Sequence, residues 1–185
     1  MQVNKYQVAF DETEVDKLLH GYHRYYENVV SDTDISSVLE IGVWRGDSLK
    51  AWKLIWPDAI VEGLEKSATY QPSLNEEFKI HRLNSQNFDE TAHIGEYDII
   101  IDDACHHWRS QVATFNNFYH KAKKFYVIED VLGVYGLANL KRCLPESELS
   151  RAMLFTSTGP TRNFRFSEYV EKNAHYKFMI FDKTS

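Results

Sequence analysis

Carboxylate and imidazole side chains follow two apolar runs of this sequence, at the points where buried strands are expected to end. They are Asp102, Asp103, His106, His107, Glu129 and Asp130. Crowded carboxylates repel one another unless a cation is present, and oxygen-rich clusters suit Mg²⁺, Mn²⁺ or Ca²⁺. The residues therefore predict a divalent-metal site. Acids that cap two helices beside solvated histidines are the alternative interpretation.

His106 is the candidate general base of this cluster. It follows Asp103 by three residues, a spacing that can place its ring near a cation held by that carboxylate. Imidazole has an ordinary pKa of about 6.5 and accepts a proton at neutral pH. A sugar hydroxyl is too weak an acid for imidazole alone, but a coordinated metal stabilises the developing alkoxide. The imidazole and the metal ion together predict proton removal from an aliphatic hydroxyl.

A buried strand, a glycine turn and a helix are predicted between Val38 and Trp56. Gly42 and Gly46 remove side chains from the turn, which lets a ligand approach the main chain. This pattern is typical of the nucleotide-binding edge of a Rossmann-like sheet, although any strand–turn–helix of an α/β protein resembles it. Glu65 follows the turn by about twenty residues, the separation at which an acid binds a ribose diol.

The type of nucleotide is indicated by the phosphate-binding patterns that this sequence lacks. Neither GxGxxG nor GxxxxGK[ST] occurs in it, and dinucleotides or triphosphates normally require one of them. A nucleoside without phosphates requires neither. S-adenosylmethionine (SAM) fits this description, and its sulfonium and ammonium charges tolerate an acidic pocket. We therefore expect SAM along the first two strand ends.

Apolar periodicity predicts an α/β fold with a doubly wound, mostly parallel, Rossmann-like sheet. The expected parallel strands cover residues 38–41, 59–64, 79–83, 97–101 and 125–128. The main expected helices cover residues 48–56, 108–121 and 135–143. An amphipathic helix over residues 11–30 is expected to pack on the sheet or to cover its binding edge.

The C-terminal part of the chain changes pattern. Strands are expected at residues 152–156 and 177–181, separated by a polar loop at 157–165 and a short helix at 166–172. This spacing favours an antiparallel strand pair at the edge of the sheet. With no linker, repeat or low-complexity tract in its 185 residues, the chain is expected to form one domain over residues 1–185.

Composition narrows the class of partner. The net charge is −6 and no lysine or arginine run occurs, which argues against a nucleic acid. No apolar run is long enough for a membrane span, and the first residues lack a secretory pattern, so we expect a cytoplasmic protein. The 2 cysteines form neither a disulfide framework nor a zinc motif. A small-molecule or glycan acceptor fits this composition better than a nucleic acid does. Assembly into a homo-oligomer is an open alternative.

Four stretches together resemble one family of enzymes. They are VLEIGVWRGDSLKAW (38–52), GLE (63–65), YDIIIDDACHHWRSQVATF (97–115) and FYVIED (125–130). In order and spacing they are similar to the metal-dependent class I SAM methyltransferases related to macrolide sugar O-methyltransferases of the macrocin and mycinamicin type. Relatives from the cephalosporin pathway share the pattern.

The resemblance implies a class I methyltransferase fold and roles for named residues. It implies that Asp103, Glu129 and Asp130 coordinate Mg²⁺ or Mn²⁺ and that His106 is the general base. The residues implied in cofactor binding, together with Gly46 of the glycine turn, are Glu40, Gly42, Ser48, Glu65, Gln86 and Asp102.

The expected function is SAM- and metal-dependent methylation of a sugar hydroxyl. The acceptor is open among a free sugar, a nucleotide sugar, a glycan and a glycosylated natural product. A catechol-type O-methyltransferase, which would more usually use a lysine base, is the alternative among enzymes. A methyltransferase-like binding module without turnover is the alternative outside enzymes.

Overall fold

A computed structural model describes residues 4–30, 33–67, 73–156 and 176–184. These residues form a seven-stranded mixed sheet with helices on both faces. The strands are β1 (Ser37–Ile41), β2 (Ile60–Leu64), β3 (Lys79–His81), β4 (Tyr97–Asp102), β5 (Ala122–Leu132), β6 (Ala152–Thr156) and β7 (Tyr176–Asp182). The helices are α1 (Lys5–Glu12), α2 (Tyr22–Val30), α3 (Asp47–Ile55), α4 (Leu74–Glu77), α5 (Phe88–Thr91), α6 (Trp108–Phe118), α7 (Gly133–Cys143) and α8 (Glu146–Leu149), with 3₁₀ turns at Asp16–Leu18 and Tyr119–Lys121.

The order of the strands reverses once in the middle of the sheet. It is β3-β2-β1-β4-β5-β7-β6, and the reversal lies between β1 and β4. The pairs from β3 to β5 are parallel, whereas β7 runs antiparallel to both β5 and β6. In open sheets of this kind, ligands bind beyond the carboxyl ends of the strands at the reversal. The ends of β1 and β4 therefore mark the expected crevice.

Alternation along the central strands divides the apolar side chains between two cores. Ile99 and Ile101 face a core that includes side chains of α1, α2 and α3, whereas Ile100 faces a core that includes side chains of α6 and α7. Successive side chains of a strand point to opposite faces. Glu40, the register partner of Ile101, therefore faces the first core, and Asp102 faces the second. The face to which each acid points therefore decides which helices surround it.

The single helix predicted over residues 11–30 is wrong. The chain instead forms the end of α1, the 3₁₀ turn Asp16–Leu18 and α2. Glu14 and Gly21 adopt φ angles of 55° and 75°, which a right-handed helix does not allow. These two breaks turn the chain and bring Lys17 to the strand ends, while α2 packs on the sheet as expected.

The other predicted strands and helices within the described residues are present, and the C-terminal strands are antiparallel as expected. β5 is longer than residues 125–128 because it pairs with β4 on one side and β7 on the other. β3 ends at His81, before the predicted residue 83. The predicted loop 157–165 and helix 166–172 lie outside the described residues. Within the described ranges, no helix combines the length and apolarity that a bilayer crossing requires.

Candidate active site

Two adjoining cavities open at the carboxyl ends of β1 and β4. The larger has a volume of about 620 Å³, and Glu65 and Gln86 are among its lining residues. The smaller has a volume of about 270 Å³, and Lys17, His106 and Asp130 are among its lining residues. The residues that line both cavities are Gly42, Trp44, Asp103 and Ala104. The two cavities therefore share a wall at the point where the strand order reverses.

Gly42 and Gly46 form the turn from β1 to α3, and the packing of the protein itself requires both. Gly42 has a φ of 97°, and a Cβ there would lie 2.3 Å from the main-chain oxygen of Asp103. Gly46 has a φ of 80°, and a Cβ there would lie 2.5 Å from side-chain carbons of Leu74. The bare backbone lets two neighbouring segments approach the turn. The ligand approach inferred from the sequence stays a prediction.

The carboxylate of Glu65 organises the turn between the cavities. Its Oε2 accepts hydrogen bonds from the main-chain nitrogens of Val43 and Trp44 at 3.0 and 3.3 Å. Its Oε1 accepts a hydrogen bond from the main-chain nitrogen of Ser67 at 2.7 Å. Gln86 is exposed and lines the same larger cavity. Two of the predicted cofactor contacts thus lie where a nucleoside has room to bind.

A β-bulge in β5 brings two consecutive acids to one cavity. The pairing of β5 with β7 shifts register between Ile128 and Val131, and Asp130 within the shift has a φ of 51°. A regular strand would direct Glu129 and Asp130 to opposite faces, whereas a bulge re-aims one side chain. Both acids consequently line the smaller cavity.

The ammonium group of Lys17 lies among three carboxylates. Its Nζ is 2.5 Å from Oδ2 of Asp103 and 2.5 Å from Oε2 of Glu129. It is also 3.2 Å from Oε1 of Glu40. Because the Lys17 side chain is 1% exposed, water does not compensate its charge, and the carboxylates must do so. The chain therefore supplies a cation to its own acidic cluster.

Two tyrosines of α2 bind further oxygens of the acids. Tyr26 donates a hydrogen bond to Oε1 of Glu129 at 2.6 Å, and Tyr22 donates one to Oδ1 of Asp130. Since Oε2 of Glu129 lies against Lys17, both of its carboxylate oxygens are engaged. Asp130 differs, because its second oxygen, Oδ2, faces His106 at 3.6 Å from Nδ1 and does not contact Lys17.

Asp103, His106 and Asp130 form a group that fits a metal ion. Nε2 of His106 lies 3.5 Å from Oδ1 of Asp103, and its Nδ1 lies 3.6 Å from Oδ2 of Asp130. One ligand atom from each residue lies within 4.8 Å of the other two. Ligands at about 2.1 Å from Mg²⁺ are at most about 4.2 Å apart, so a small movement completes the set. Carboxylate oxygens suit Mg²⁺ or Mn²⁺.

The charges in this cluster set the protonation of its members. Burial raises the pKa of Asp103, but the Lys17 ammonium overcomes this effect and lowers it to about 2. Burial lowers the pKa of His106, but the hydrogen bond with Asp103 and the charge of Asp130 raise it to about 9. Burial also opposes the charge of Lys17, yet the carboxylates around it raise its pKa well above the usual value. These shifts make His106 and Lys17 both cationic at neutral pH.

Three of the predicted cofactor contacts are buried side chains. Glu40 is 0% exposed and lies beside Lys17 and the Ser48 hydroxyl. Ser48 lines the smaller cavity. Asp102 faces the second core, and burial raises its pKa to about 8. Among the described residues, neither Glu40 nor Asp102 lines either cavity, and their cofactor contacts stay predictions.

No family model and no curated protein sequence matches this chain. Several solved structures have a fold similar to that of this chain. The MycE methyltransferase from the mycinamycin biosynthetic pathway, in complex with Mg and SAH, has a TM-score of 0.59 and 22% identity, over 70% of this chain and 38% of that chain. The plantazolicin methyltransferase BpumL, in complex with SAH, has a TM-score of 0.58 and 14% identity, over 89% and 82%. An O-methyltransferase from Bacillus cereus, in complex with SAH, has a TM-score of 0.55 and 12% identity, over 99% and 92%.

The fold is that of the class I methyltransferases. This chain spans 38% of the length of the MycE chain that it matches. Within the class I methyltransferase fold of this chain, the larger cavity lies at the ends of β1, β2 and β3. The smaller cavity lies between the end of β5 and the N-terminal residues 15–22, which close it from the side of the first core.

Lys17 and Tyr26 are site residues that sequence reasoning missed. Both belong to the stretch that was expected to form one continuous helix, in which neither had an assigned partner. The available signal was electrostatic, because a chain that crowds carboxylates at neighbouring strand ends needs a nearby cation. Lys17 and Arg24 are the lysine and arginine of residues 11–30 and were the candidates for it.

Proposed function

We propose that this protein is a SAM-dependent O-methyltransferase that uses a divalent metal ion and acts on a hydroxyl of a sugar. The observation that carries the proposal is the shared wall between the two cavities. Asp103 lies in that wall, so one side chain faces both the larger cavity and the group it forms with His106 and Asp130. Methyl transfer requires this adjacency of donor and acceptor sites.

The larger cavity supports a nucleoside donor. Its walls combine the apolar side chains of Ile41, Leu64 and Leu83 with polar groups at residues 84–86 and the carboxylate of Glu65. Apolar walls suit a purine ring, and an acid at a strand end suits a ribose diol. SAH is the ligand in the MycE, BpumL and Bacillus cereus structures, and this combination of walls would fit SAH and the methyl donor SAM.

The smaller cavity supports chemistry on a hydroxyl. Asp103 and Asp130 would hold the metal ion, each by the carboxylate oxygen that faces His106. When bound, SAM supplies the methyl group and the metal supplies positive charge that makes a hydroxyl more acidic. Lys17 and Tyr22 keep the other oxygen of each acid in place, so the two carboxylates are oriented before any ligand arrives.

His106 is the proposed proton acceptor. Burial lowers its pKa, but the carboxylates of Asp103 and Asp130 raise it to about 9, and the imidazole is therefore protonated at neutral pH. Neutralisation of these two carboxylates removes the cause of the increase. His106 then becomes a neutral imidazole that can take the hydroxyl proton through one ring nitrogen.

An imidazole base favours a sugar hydroxyl over a catechol. A lysine base for a phenol would have to lose its proton near neutral pH. The lysine of this cavity, Lys17, is surrounded by carboxylates that raise its pKa well above the usual value despite the opposing effect of burial. It therefore stays protonated. One structural neighbour, MycE, is in complex with Mg, SAH and mycinamycin VI, and we extend a natural-product acceptor to this chain as part of the proposal.

Methyl transfer from SAM to a panel of sugars, nucleotide sugars and glycosides tests the proposal. We expect transfer that requires Mg²⁺ or Mn²⁺ and stops with a chelator. His106→Ala should lower the turnover number by roughly 10²–10⁴, as the loss of a general base does, while SAM affinity measured by calorimetry changes little.

His107→Ala is the matched control. The sequence places His107 beside the acids, but His107 is exposed and lines neither cavity. Its ring caps α6 by accepting a hydrogen bond from the main chain of Arg109, so its loss should cost some stability and leave the turnover number unchanged. A near-normal rate in His106→Ala rejects the general base. Binding of SAM without turnover on any acceptor favours a binding module.

A further inference from the structure

Building on the proposed function, we propose that Lys17 is a permanent cation of the site and that Glu129 serves to hold it. In this arrangement the metal is bound by the outward oxygens of Asp103 and Asp130, beside His106. Lys17 and Glu129 are positioning residues rather than ligands. The proposal departs from the ligand set Asp103, Glu129 and Asp130 that the sequence resemblance implies.

The distribution of contacts over the acid oxygens carries the proposal. Oδ2 of Asp103 is 2.5 Å from Nζ of Lys17, whereas Oδ1 of the same carboxylate is 3.5 Å from His106. Asp103 thus faces two positions, an inner one filled by the ammonium and an outer one beside the imidazole. Asp130 repeats the division, with Oδ1 on Tyr22 and Oδ2 facing His106.

Both oxygens of Glu129 have a partner on the inner side, away from His106. Its Oε2 is 2.5 Å from Nζ of Lys17, and its Oε1 accepts the hydrogen bond of Tyr26 at 2.6 Å. The residue is 1% exposed, and its outward neighbour in the bulge is Asp130. The group with metal-ligand spacing accordingly contains Asp103, His106 and Asp130.

The ammonium is enclosed on its remaining sides. Nζ of Lys17 lies 5.9 Å from the centre of the Trp52 ring, a residue that is itself 0% exposed. Glu40, also 0% exposed, lies 3.2 Å from the ammonium on the side of β1. A buried cation with this many partners is not free to exchange with solvent. One charge of the cluster is therefore compensated permanently, and the outer position receives a single divalent ion.

Binding of Mn²⁺, followed by electron paramagnetic resonance in the absence of SAM and acceptor, tests the proposal on the full chain. We expect one ion per wild-type chain. Asp130→Asn should weaken Mn²⁺ binding by at least tenfold. Glu129→Gln, an equally conservative change one residue away, should alter it by less than about threefold, because the amide oxygen still accepts from Tyr26 or faces Lys17.

Lys17→Met supplies the second measurement. Removal of the ammonium exposes uncompensated oxygens of Glu129 and Asp103, and we expect Mn²⁺ to bind at least tenfold more tightly or as a second ion. An equal loss of Mn²⁺ affinity in Glu129→Gln and Asp130→Asn would overturn the proposal. A wild-type chain that binds no Mn²⁺ would also overturn it. If Lys17→Met does not fold, the two acid variants still decide the question.

The outcome is separable from that of the proposed function. If the variants bind Mn²⁺ as expected but the protein methylates no acceptor, only the proposed function is contradicted. Methyl transfer by the wild-type chain, together with an equal loss of Mn²⁺ affinity in the two acid variants, would contradict only the proposed role of Lys17 and Glu129.

Discussion

Asp102 and Asp103 are neighbours in the chain, yet they ionise at very different pH. Asp102 faces the second core, where burial raises its pKa to about 8 and its Oδ2 has no hydrogen-bond partner among the described residues. Asp103 faces Lys17, and that ammonium lowers the pKa of Asp103 to about 2 against the effect of burial. The difference arises from the strand geometry, which sends adjacent side chains to opposite faces.

The free energy of unfolding should therefore depend on pH through Asp102. Its pKa in the folded protein, about 8, exceeds the value of about 3.9 in an unfolded chain. Between these values the folded protein holds a proton that the unfolded chain releases, so stability falls as pH rises, by up to about 1.4 kcal/mol per pH unit. Asp102→Asn removes this loss. We expect the variant to gain stability relative to wild type from pH 4 to pH 8 in urea unfolding.

Asp98→Asn is a control with the opposite sign. Asp98 is 4% exposed, and although burial raises its pKa, hydrogen bonds from Ser36 lower it below the ordinary value. The stability that Asp98 contributes is present above its unfolded pKa and is lost as pH falls. The cost of Asp98→Asn should therefore shrink toward acidic pH. Parallel trends for Asp98→Asn and Asp102→Asn would contradict the opposite pKa shifts of these two acids.

At the scale of elements, the turn from β1 to α3 and the broken N-terminal segment shape the site. The turn holds β1 close to the end of β4 because Gly42 presents no side chain to Asp103. The breaks at Glu14 and Gly21 let residues 15–21 pass the strand ends between α1 and α2 instead of continuing as a helix. The turn and the two breaks all depend on positive φ angles, which a regular helix or strand does not contain.

Gly42→Ala should destabilise the protein strongly. A Cβ would lie 2.3 Å from a main-chain oxygen, and the φ of 97° is unfavourable for alanine. Backbone strain and overpacking each cost about 1–3 kcal/mol, so we expect a loss of roughly 2–5 kcal/mol in the free energy of unfolding. Chemical denaturation followed by tryptophan fluorescence measures it.

Gly136→Ala is the matched change in a helix. Gly136 lies inside α7, and nothing within 4 Å would meet its added Cβ. Replacement of a glycine in a helix interior stabilises by roughly 0.5–1 kcal/mol. Similar effects of the two substitutions would show that the approach of β4 does not constrain the turn.

At the scale of the whole molecule, one core lies on each face of the sheet, and both cavities open at the same edge of that sheet. The first core places α2 and the 3₁₀ turn Asp16–Leu18 over the acids, and the second core supports the opposite face of the same strands. A ligand that fills the larger cavity contacts the ends of three strands at once. Its binding should therefore be linked to the stability of the entire domain.

SAH should raise the melting temperature of the protein. At a concentration 100-fold above the dissociation constant, a ligand specific for the folded state adds about 2.7 kcal/mol. For a chain of this size, this corresponds to roughly 5–10 °C in thermal unfolding. Differential scanning fluorimetry measures the change.

Two comparisons make this measurement specific. Glu65→Gln should reduce the increase produced by a fixed SAH concentration, whereas Glu76→Gln, an exposed change in α4, should not. ATP should produce no increase, since the phosphate-binding patterns are absent from the sequence. An increase with ATP but none with SAH contradicts the assignment of the larger cavity.

The sequence by itself determined most of the central elements and which residues lie at the strand ends. Apolar alternation located the central strands, and their carboxyl ends carry the acids because parallel strands of a doubly wound sheet end at one edge. Glu65, Asp103, His106 and Asp130 therefore line the two adjoining cavities at that edge. Local pattern suffices for this, since periodicity and turn chemistry act over a few residues.

Only the tertiary structure decided how the acids divide their oxygens. Lys17 reaches Asp103 and Glu129 across 86 and 112 residues of chain, and no local pattern reports contacts of that separation. The breaks in the N-terminal segment and the bulge at Asp130 depend on packing between distant strands and helices. Electrostatic compensation in a buried site is a property of three-dimensional proximity, and the spacing of charges along the chain does not define it.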